Sequence, residues 1–295
     1  MMGIREEHSV LPCVYDVHCH VHEMKPAADL DASLENGRVF GGRLGVFCTQ
    51  ATKYTDWDDV VRLKDKHGKR IIPAFGLHPW FVERVESGEI PVGWQDRLRD
   101  LLQKHGGILG ECGLDKIAKN PSTNKAYPFE AQIRLFKEQL LVAHELSVPV
   151  SVHCVRAFGA LVDVLKEAEA KGALPPRIML HSYSGSPDML RQALLRGELG
   201  KHMYVSFSWF VNGRSEKKSR ECMCAVPEDR LLVESDLFDA NDAFPALERI
   251  IRLVASARGW MLDETCIRLA DNSRAYFGID TQLLTTCQES PSQSS

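Results

Sequence analysis

Eight short apolar runs punctuate the chain, and the stretches between them carry apolar residues at helical spacing. The runs read "VYDVHCH", "RLGVFCTQA", "KRIIPAFGLH", "GILGECGL", "VPVSVHCV", "RIMLHSYS", "HMYVSFSW" and "DRLLVESD". Near-continuous apolar character over so few residues marks a strand buried on both faces, as in a parallel sheet covered by helices. Among the intervening stretches, "PFEAQIRLFKEQLLVAHEL" sets Ile133, Phe136 and Leu140 close to one helical face. "FGALVDVLKEAEAKG" ends on Gly172, a C-terminal cap, and "SPDMLRQALLRGELG" begins with Ser186 as N-cap and Pro187 as first helical residue. Alternation on this count predicts an α/β chain folded as a single-domain (β/α)8 TIM barrel, in preference to an open doubly wound sheet.

The length of 295 residues suits one such barrel, and no Pro/Gly/Ser linker divides it. The expected organisation is an N-terminal extension over 1–13, the barrel over 14–280, and a disordered tail over 281–295, where "TTCQESPSQSS" is polar and aperiodic. The nine cysteines, odd in number and without C-x-x-C spacing, read as reduced thiols and not as a disulfide framework. "ECMC" reads as ordinary helix. No secretory signal core and no apolar run of about 18 residues is present, so a cytoplasmic or nuclear protein without membrane association is expected. A net charge of −4 excludes a global basic footprint for nucleic acid and leaves local basic patches open.

The polar residues inside the runs carry the chemistry. In the first run Asp16, His18 and His20 alternate, which in a regular strand projects them to one face. His18, His20, His78, Glu111, His153, His181 and Asp236 lie at or near the C-terminal ends of six runs, and a barrel gathers those ends at one mouth. Any one alone reads as a polar residue capping a strand; jointly they suit two divalent ions of borderline type (Zn2+, Mg2+ or Mn2+). One ion would take His18, His20 and Asp236, the other His153 and His181. Glu111 would bridge them, an anion offsetting the repulsion of two cations. Asp236 is also placed to accept the proton of an attacking water, which makes Asp236 and Glu111 the candidate catalytic residues.

Other positions carry two readings each. His78 is assigned to substrate phosphate or to support of the ligands, and Asp115 to holding a loop or orienting a ligand. Glu234 is expected to be a buried hydrogen-bonding group. Cys19, Cys112 and Cys154, each beside a candidate ligand, are expected to face the helices, with thiolate ligation as the rival. Ser184, in the turn "HSYSGS", belongs to a Gly/Ser stretch suited to an anion or to a plain strand–helix turn. Trp80 and Trp209 suit base stacking or rim packing. Lys217, Lys218 and Arg220 read as a solvated helix face.

The motifs "DVHCH", "GLHPW", "GECGLD", "VSVHC", "HSYSG" and "ESD", in this order, resemble those of the TatD-like metal-dependent deoxyribonucleases of the amidohydrolase superfamily. The resemblance extends from about Tyr15 to Gly278, and "ADNSRAYFGI" looks like that family's closing helix. It includes a fungal branch named for interacting with a TPR subunit of the anaphase-promoting complex, which implies a possible TPR-type protein partner. The resemblance implies hydrolysis of DNA phosphodiesters with two divalent ions on His18, His20, Glu111, His153, His181 and Asp236; His78, Arg156 and Ser184 are the candidate substrate contacts. The chain departs from the pattern at Val155, where an arginine is usual and Arg156 comes next instead, and at "ESDLF". The alternatives are a hydrolase of a small ester, lactone, amide or phosphoester, and a barrel acting mainly as a protein-interaction module.

Overall fold

Eight parallel strands succeed one another around a ring: β1 Val14–Cys19, β2 Arg43–Gln50, β3 Ile71–Phe75, β4 Ile108–Asp115, β5 Val150–Val155, β6 Ile178–Leu180, β7 Met203–Ser208 and β8 Leu231–Glu234. The computed structural model describes residues 13–36, 38–39 and 43–279. The expected tail and all but the last residue of the expected N-terminal extension lie outside the described residues. Each strand pairs with the next in chain order, and a two-residue strand, Arg38–Val39, lies antiparallel against β2. The seam between β8 and β1 is joined at the mouth, where Asp236 N donates to His18 O (3.0 Å) and His20 N to Leu237 O (2.8 Å). This is the (β/α)8 barrel expected from the eight apolar runs.

Two apolar layers hold it together. Tyr15, Val17, Val46, Cys48, Ile72, Met179, Tyr204 and Leu232 form one buried cluster, joined by Ala270 and Tyr276 of the Leu262–Phe277 helix. The alternate strand residues, among them Leu109, Val150, Val152, Leu180, Val205 and Val233, pack instead with the surrounding helices. Both faces of every strand are therefore committed to burial, the condition read from the uninterrupted runs. Ser186 caps its helix by accepting from Met189 N (3.1 Å), with Pro187 as first residue. The "ECMC" segment is helix, within Glu216–Ala225.

The cysteines belong to this packing. Cys112 and Cys154 lie in the strand–helix cluster, and Cys19 packs with Leu34 and Phe47. Burial pushes the Cys154 thiol up to about 12 and that of Cys222 up to about 11, and raises Cys19, Cys48, Cys112 and Cys266 as well. These are protonated packing groups and not thiolate ligands. A thiol reagent applied to the native protein is expected to spare all six until denaturant is added, while exposed Cys224 reacts at once. Fast modification of Cys19, Cys112 or Cys154 would put that thiol back among the candidate ligands.

Candidate metal centre

Two bulges aim the key side chains. Between the pairs Asp16↔Phe47 and Cys19↔Thr49, β1 advances three residues while β2 advances two. Between Leu109↔Val150 and Cys112↔Val152, β4 advances three while β5 advances two. An extra residue breaks the period-two alternation and re-aims the side chains beyond it. His18 lies in the first bulge and Glu111 in the second. Tyr15 and Val17 therefore face the barrel interior, and His18 and His20 meet the site as well.

Asp16 departs from the expectation that it would project with the two histidines. Its carboxylate accepts from Ser235 N (2.9 Å) and Ser235 Oγ (2.5 Å), tying the first strand to the segment after β8. Burial raises its pKa to about 7. The bulge just past Asp16 separates it from the histidine face, so Asp16 fastens the seam.

The other candidates converge. His18 Nε2 stands 3.5 Å from Glu111 Oε2 and 3.7 Å from Asp236 Oδ1, and His20 Nε2 stands 3.5 Å from each of the same oxygens. Ligands about 2.0–2.1 Å from a tetrahedral ion lie roughly 3.4 Å from one another, so these separations suit donors spaced around an ion. On the other oxygen, Glu111 Oε1 lies 3.1 Å from His153 Nδ1 and 3.0 Å from His181 Nε2, and those two nitrogens are 3.0 Å apart. Glu111 thus turns one oxygen to each imidazole pair. The His18 and His181 rings stack at 3.9 Å, which sets the pairs side by side.

Nitrogens facing away from the cluster show which face it with a lone pair. His20 Nδ1 meets Gln50 O (3.1 Å), an acceptor only, so it carries a hydrogen, and Nε2 is the nitrogen that a metal would take in place of a proton. His153 Nε2 faces Asp115 Oδ2 and His181 Nδ1 faces Glu234 Oε1, each at 3.5 Å, with the same consequence for their inner nitrogens. His18 Nδ1 contacts Ser151 Oγ (2.8 Å), while its Nε2 is buried without a hydrogen-bond partner among the described residues. Histidines oriented by carboxylates and carbonyls, with lone pairs converging on two carboxylates, fit a divalent-metal centre. His78 differs. Its Nδ1 accepts from Trp80 N (3.3 Å), so its hydrogen sits on Nε2, 3.4 Å from Glu111 Oε1. Burial lowers its pKa to about 4, which keeps it neutral, and it is a donor to this site.

Charge is retained at the centre. Burial alone would neutralise Glu111, but the imidazoles of His78, His181, His18 and His153 hold it well below the carboxylate range. Asp236 is likewise lowered against its burial, by His20 and then by His181 and His18. Burial depresses His20, yet Asp236 and Glu111 override it and lift the ring to about 9. Two ionised carboxylates in a water-poor mouth call for cations.

Supporting residues fall partly as expected. Asp115 does both jobs proposed for it: Oδ1 accepts from Ile117 N (3.1 Å) and Ala118 N (3.0 Å), while Oδ2 faces His153 and accepts from Trp80 Nε1 (2.9 Å). Glu234 is fully buried, accepting from Ser182 Oγ (2.5 Å) and Ser206 Oγ (2.6 Å). Arg156 and Ser184 lie outside the cluster, exposed on the rim. Trp80 keeps about half its surface open beside His78, whereas Trp209 is partly buried against the core. Lys217 and Lys218 are exposed, as on a solvated helix face, and Lys218 Nζ in addition donates to Ser184 O (2.7 Å).

Sequence reasoning missed three glutamines and an aromatic. Gln50 Oε1 accepts from Glu111 N (3.1 Å) inside the bulge. From the Phe129–Glu145 helix, Gln132 accepts from Asp115 N (2.8 Å) and donates to Asp115 O (3.0 Å). Gln139 does the same for Leu77 N (2.8 Å) and Leu77 O (2.9 Å), next to His78. The available signal was two polar residues seven apart on the buried stripe of an amphipathic helix. Phe238, about half exposed, stacks on the His20 ring at 5.1 Å.

Comparison with known proteins agrees with this picture. Residues 15–278 match the family described as TatD related DNase. The chain is 25% identical to the Cut9-interacting protein scn1 of Schizosaccharomyces pombe, over 90% of this chain and 99% of that one. It is 27% identical to the 3'-5' ssDNA/RNA exonuclease TatD of Erwinia amylovora, over 90% and 100%. In fold it is similar to YjjV, the TatD homolog of Escherichia coli, with a TM-score of 0.71, 24% identity, and 90% and 98% of the two chains covered.

Proposed function

The chain belongs to the TatD-related DNase family, a family of metal-dependent hydrolases, and on that premise we propose that it cleaves phosphodiester bonds of DNA with two divalent ions. His18, His20 and Asp236 would hold one, His153 and His181 the other, with Glu111 the carboxylate available to both. The observation that carries this reading is the division of Glu111, with Oε2 facing His18 and His20 and Oε1 facing His153 and His181. When bound, such ions acidify water and neutralise the phosphate. An imidazole-rich set favours zinc over magnesium.

The chain's own residues do the rest. Asp236, ionised and only partly covered by the mouth, takes the proton of the attacking water. His78, neutral, presents its Nε2 hydrogen to a phosphate oxygen. Asp115 and Glu234 keep the His153 and His181 rings turned so that His153 Nδ1 and His181 Nε2 face Glu111 Oε1, where they would meet a metal. The exposed rings of Trp80 and Phe238 at the mouth offer faces to unpaired bases, which favours a single-stranded end over intact duplex.

Metal analysis of the purified chain, followed by assays with each ion on single-stranded DNA and on generic esters, tests the proposal. Two ions per chain and metal-dependent release of nucleotides are expected. Activity on esters with none on DNA would transfer the site to a small-molecule substrate, and no bound metal after loading would remove the mechanism.

A further inference from the structure

The turn after His181 is tied down at four consecutive carbonyls. Asn212 Nδ2 donates to Tyr183 O (2.9 Å), Lys218 Nζ to Ser184 O (2.7 Å), Cys222 Sγ to Gly185 O (3.8 Å) and Tyr183 Oη to Ser186 O (2.8 Å). In a trans peptide the N–H points opposite to the C=O, so fixing these carbonyls also fixes the amides between them. Among the described residues, the amide N–H groups of Ser184, Gly185 and Ser186 make no hydrogen bond. Gly185 is required here, since a Cβ would lie 2.3 Å from Tyr183 Oη.

A cavity of about 330 Å³ opens beside this turn, closed on its other sides by Val155, Arg156, Phe158 and Lys218. None of its lining residues is acidic. Arg156 makes no ion pair among the described residues, whereas Arg97, Lys137 and Arg252 on the outer helices face carboxylates at 2.7, 2.5 and 2.8 Å. Its backbone is held at φ +54°, a conformation a non-glycine residue keeps only when its surroundings impose it. Two cations without acidic partners among the described residues line this concavity, beside a turn whose amides make no hydrogen bond there, on an acidic protein.

We propose that this cavity is a second phosphate subsite, which grips a phosphate of the bound strand other than the one hydrolysed and rests the attached nucleoside against Phe158. The proposal deepens the nuclease reading and rests on it for the identity of the ligand. Arg156 and Ser184 each lie three residues beyond a proposed ligand, so at most about 10 Å of extended chain separates the cavity from the centre. Pockets that hold small ligands begin at roughly 300 Å³, which leaves room for one nucleotide and not for a longer run of strand. The subsite therefore selects a short flank, as expected of an enzyme that works near a chain end.

Fluorescence anisotropy of labelled tetrathymidylate, with the full chain in chelator and salt varied, reads the subsite without turnover. Each phosphate contact with a single strand contributes about 0.7 to the salt slope of log affinity. The double variant R156Q/K218Q is expected to lose about 1.4 from the slope and to bind about tenfold more weakly at low salt. R156K/K218R keeps the slope, and K217Q, whose lysine does not line the cavity, matches the wild type. Single variants losing about 0.7 each serve if the double variant folds poorly, as circular dichroism would reveal. An unchanged slope in the double variant, or no oligonucleotide binding by the wild type, overturns the proposal. Hydrolysis of bis(p-nitrophenyl) phosphate by the metal-loaded wild type reports on the centre alone, so failure of the nuclease chemistry is distinguishable from failure of the subsite.

Discussion

Replacing Glu111 by glutamine is expected to reduce bound metal from two ions to fewer than one per chain and to slow DNA cleavage at least about 1,000-fold, roughly 4 kcal/mol of barrier. The size comes from position. His153→Ala removes a nitrogen from one imidazole pair only, and Asp236→Ala an oxygen from the other, so each is expected to leave the remaining ion in place. Glu111 faces both pairs, at 3.0–3.1 Å on one oxygen and 3.5 Å on the other. Glutamine keeps the shape and removes the charge, leaving two like-charged ions to share a site with nothing between them. Metal content by plasma emission and single-turnover cleavage check this together. Retention of both ions with near-normal cleavage would show that Glu111 only packs there, and the two-ion assignment would fall with it.

Gly113→Ala is expected to destabilise the protein by more than about 4 kcal/mol, the range reached only by a few mechanisms such as overpacking and backbone strain. Gly113 pairs with His153 across β4 and β5, and its φ is +141°. A Cβ there would lie 2.0 Å from His153 O, a contact with the backbone of the neighbouring strand that no rotamer change relieves. The control is Gly259→Ala at the end of the Ala240–Arg258 helix, where φ is +69° and a Cβ would meet nothing within 4 Å. That change costs only the left-handed conformation, about 1–2 kcal/mol. Urea unfolding of both variants separates the effects, and similar losses would mean β4 and β5 can move apart. Because the strain lands on the peptide of His153, Gly113→Ala is also expected to loosen the second ion.

Much of this architecture was legible in the chain. Eight apolar runs read as strands buried on both faces because the barrel commits each face to a different layer, and neither face has to be polar. The candidate ligands were legible because such a fold brings strand ends together, so residues remote in sequence could be grouped by their place in a repeating unit. Period-two reasoning fails at bulges, and both bulges fall at candidate ligands. It placed Asp16 with His18 and His20, where one extra residue turns Asp16 to the seam and Val17 to the interior. Lys218 was opaque for another reason: its helix is exposed, and only the fold brings it to a carbonyl 34 residues away. The side-chain amides of Gln50, Gln132 and Gln139 bond to backbone, a role that charge and hydropathy do not encode.

The two glutamines of the Phe129–Glu145 helix have a consequence for how this surface can vary over generations. Helices on the outside of a barrel are ordinarily its most tolerant layer, yet positions 132 and 139 each need an acceptor and a donor at the same reach. Among the coded amino acids only glutamine combines them at that length, so drift at either position is penalised at the mouth and not at the exterior. The segments bearing His78 and Asp115 are thereby bolted to one rod, two turns apart. Divergence toward new substrates is left to the exposed rim positions around Arg156 and Phe238, whereas the turn bearing Ser184 has a bolt of its own in the Asn212 side-chain amide, which accepts from Ser208 N and donates to Tyr183 O.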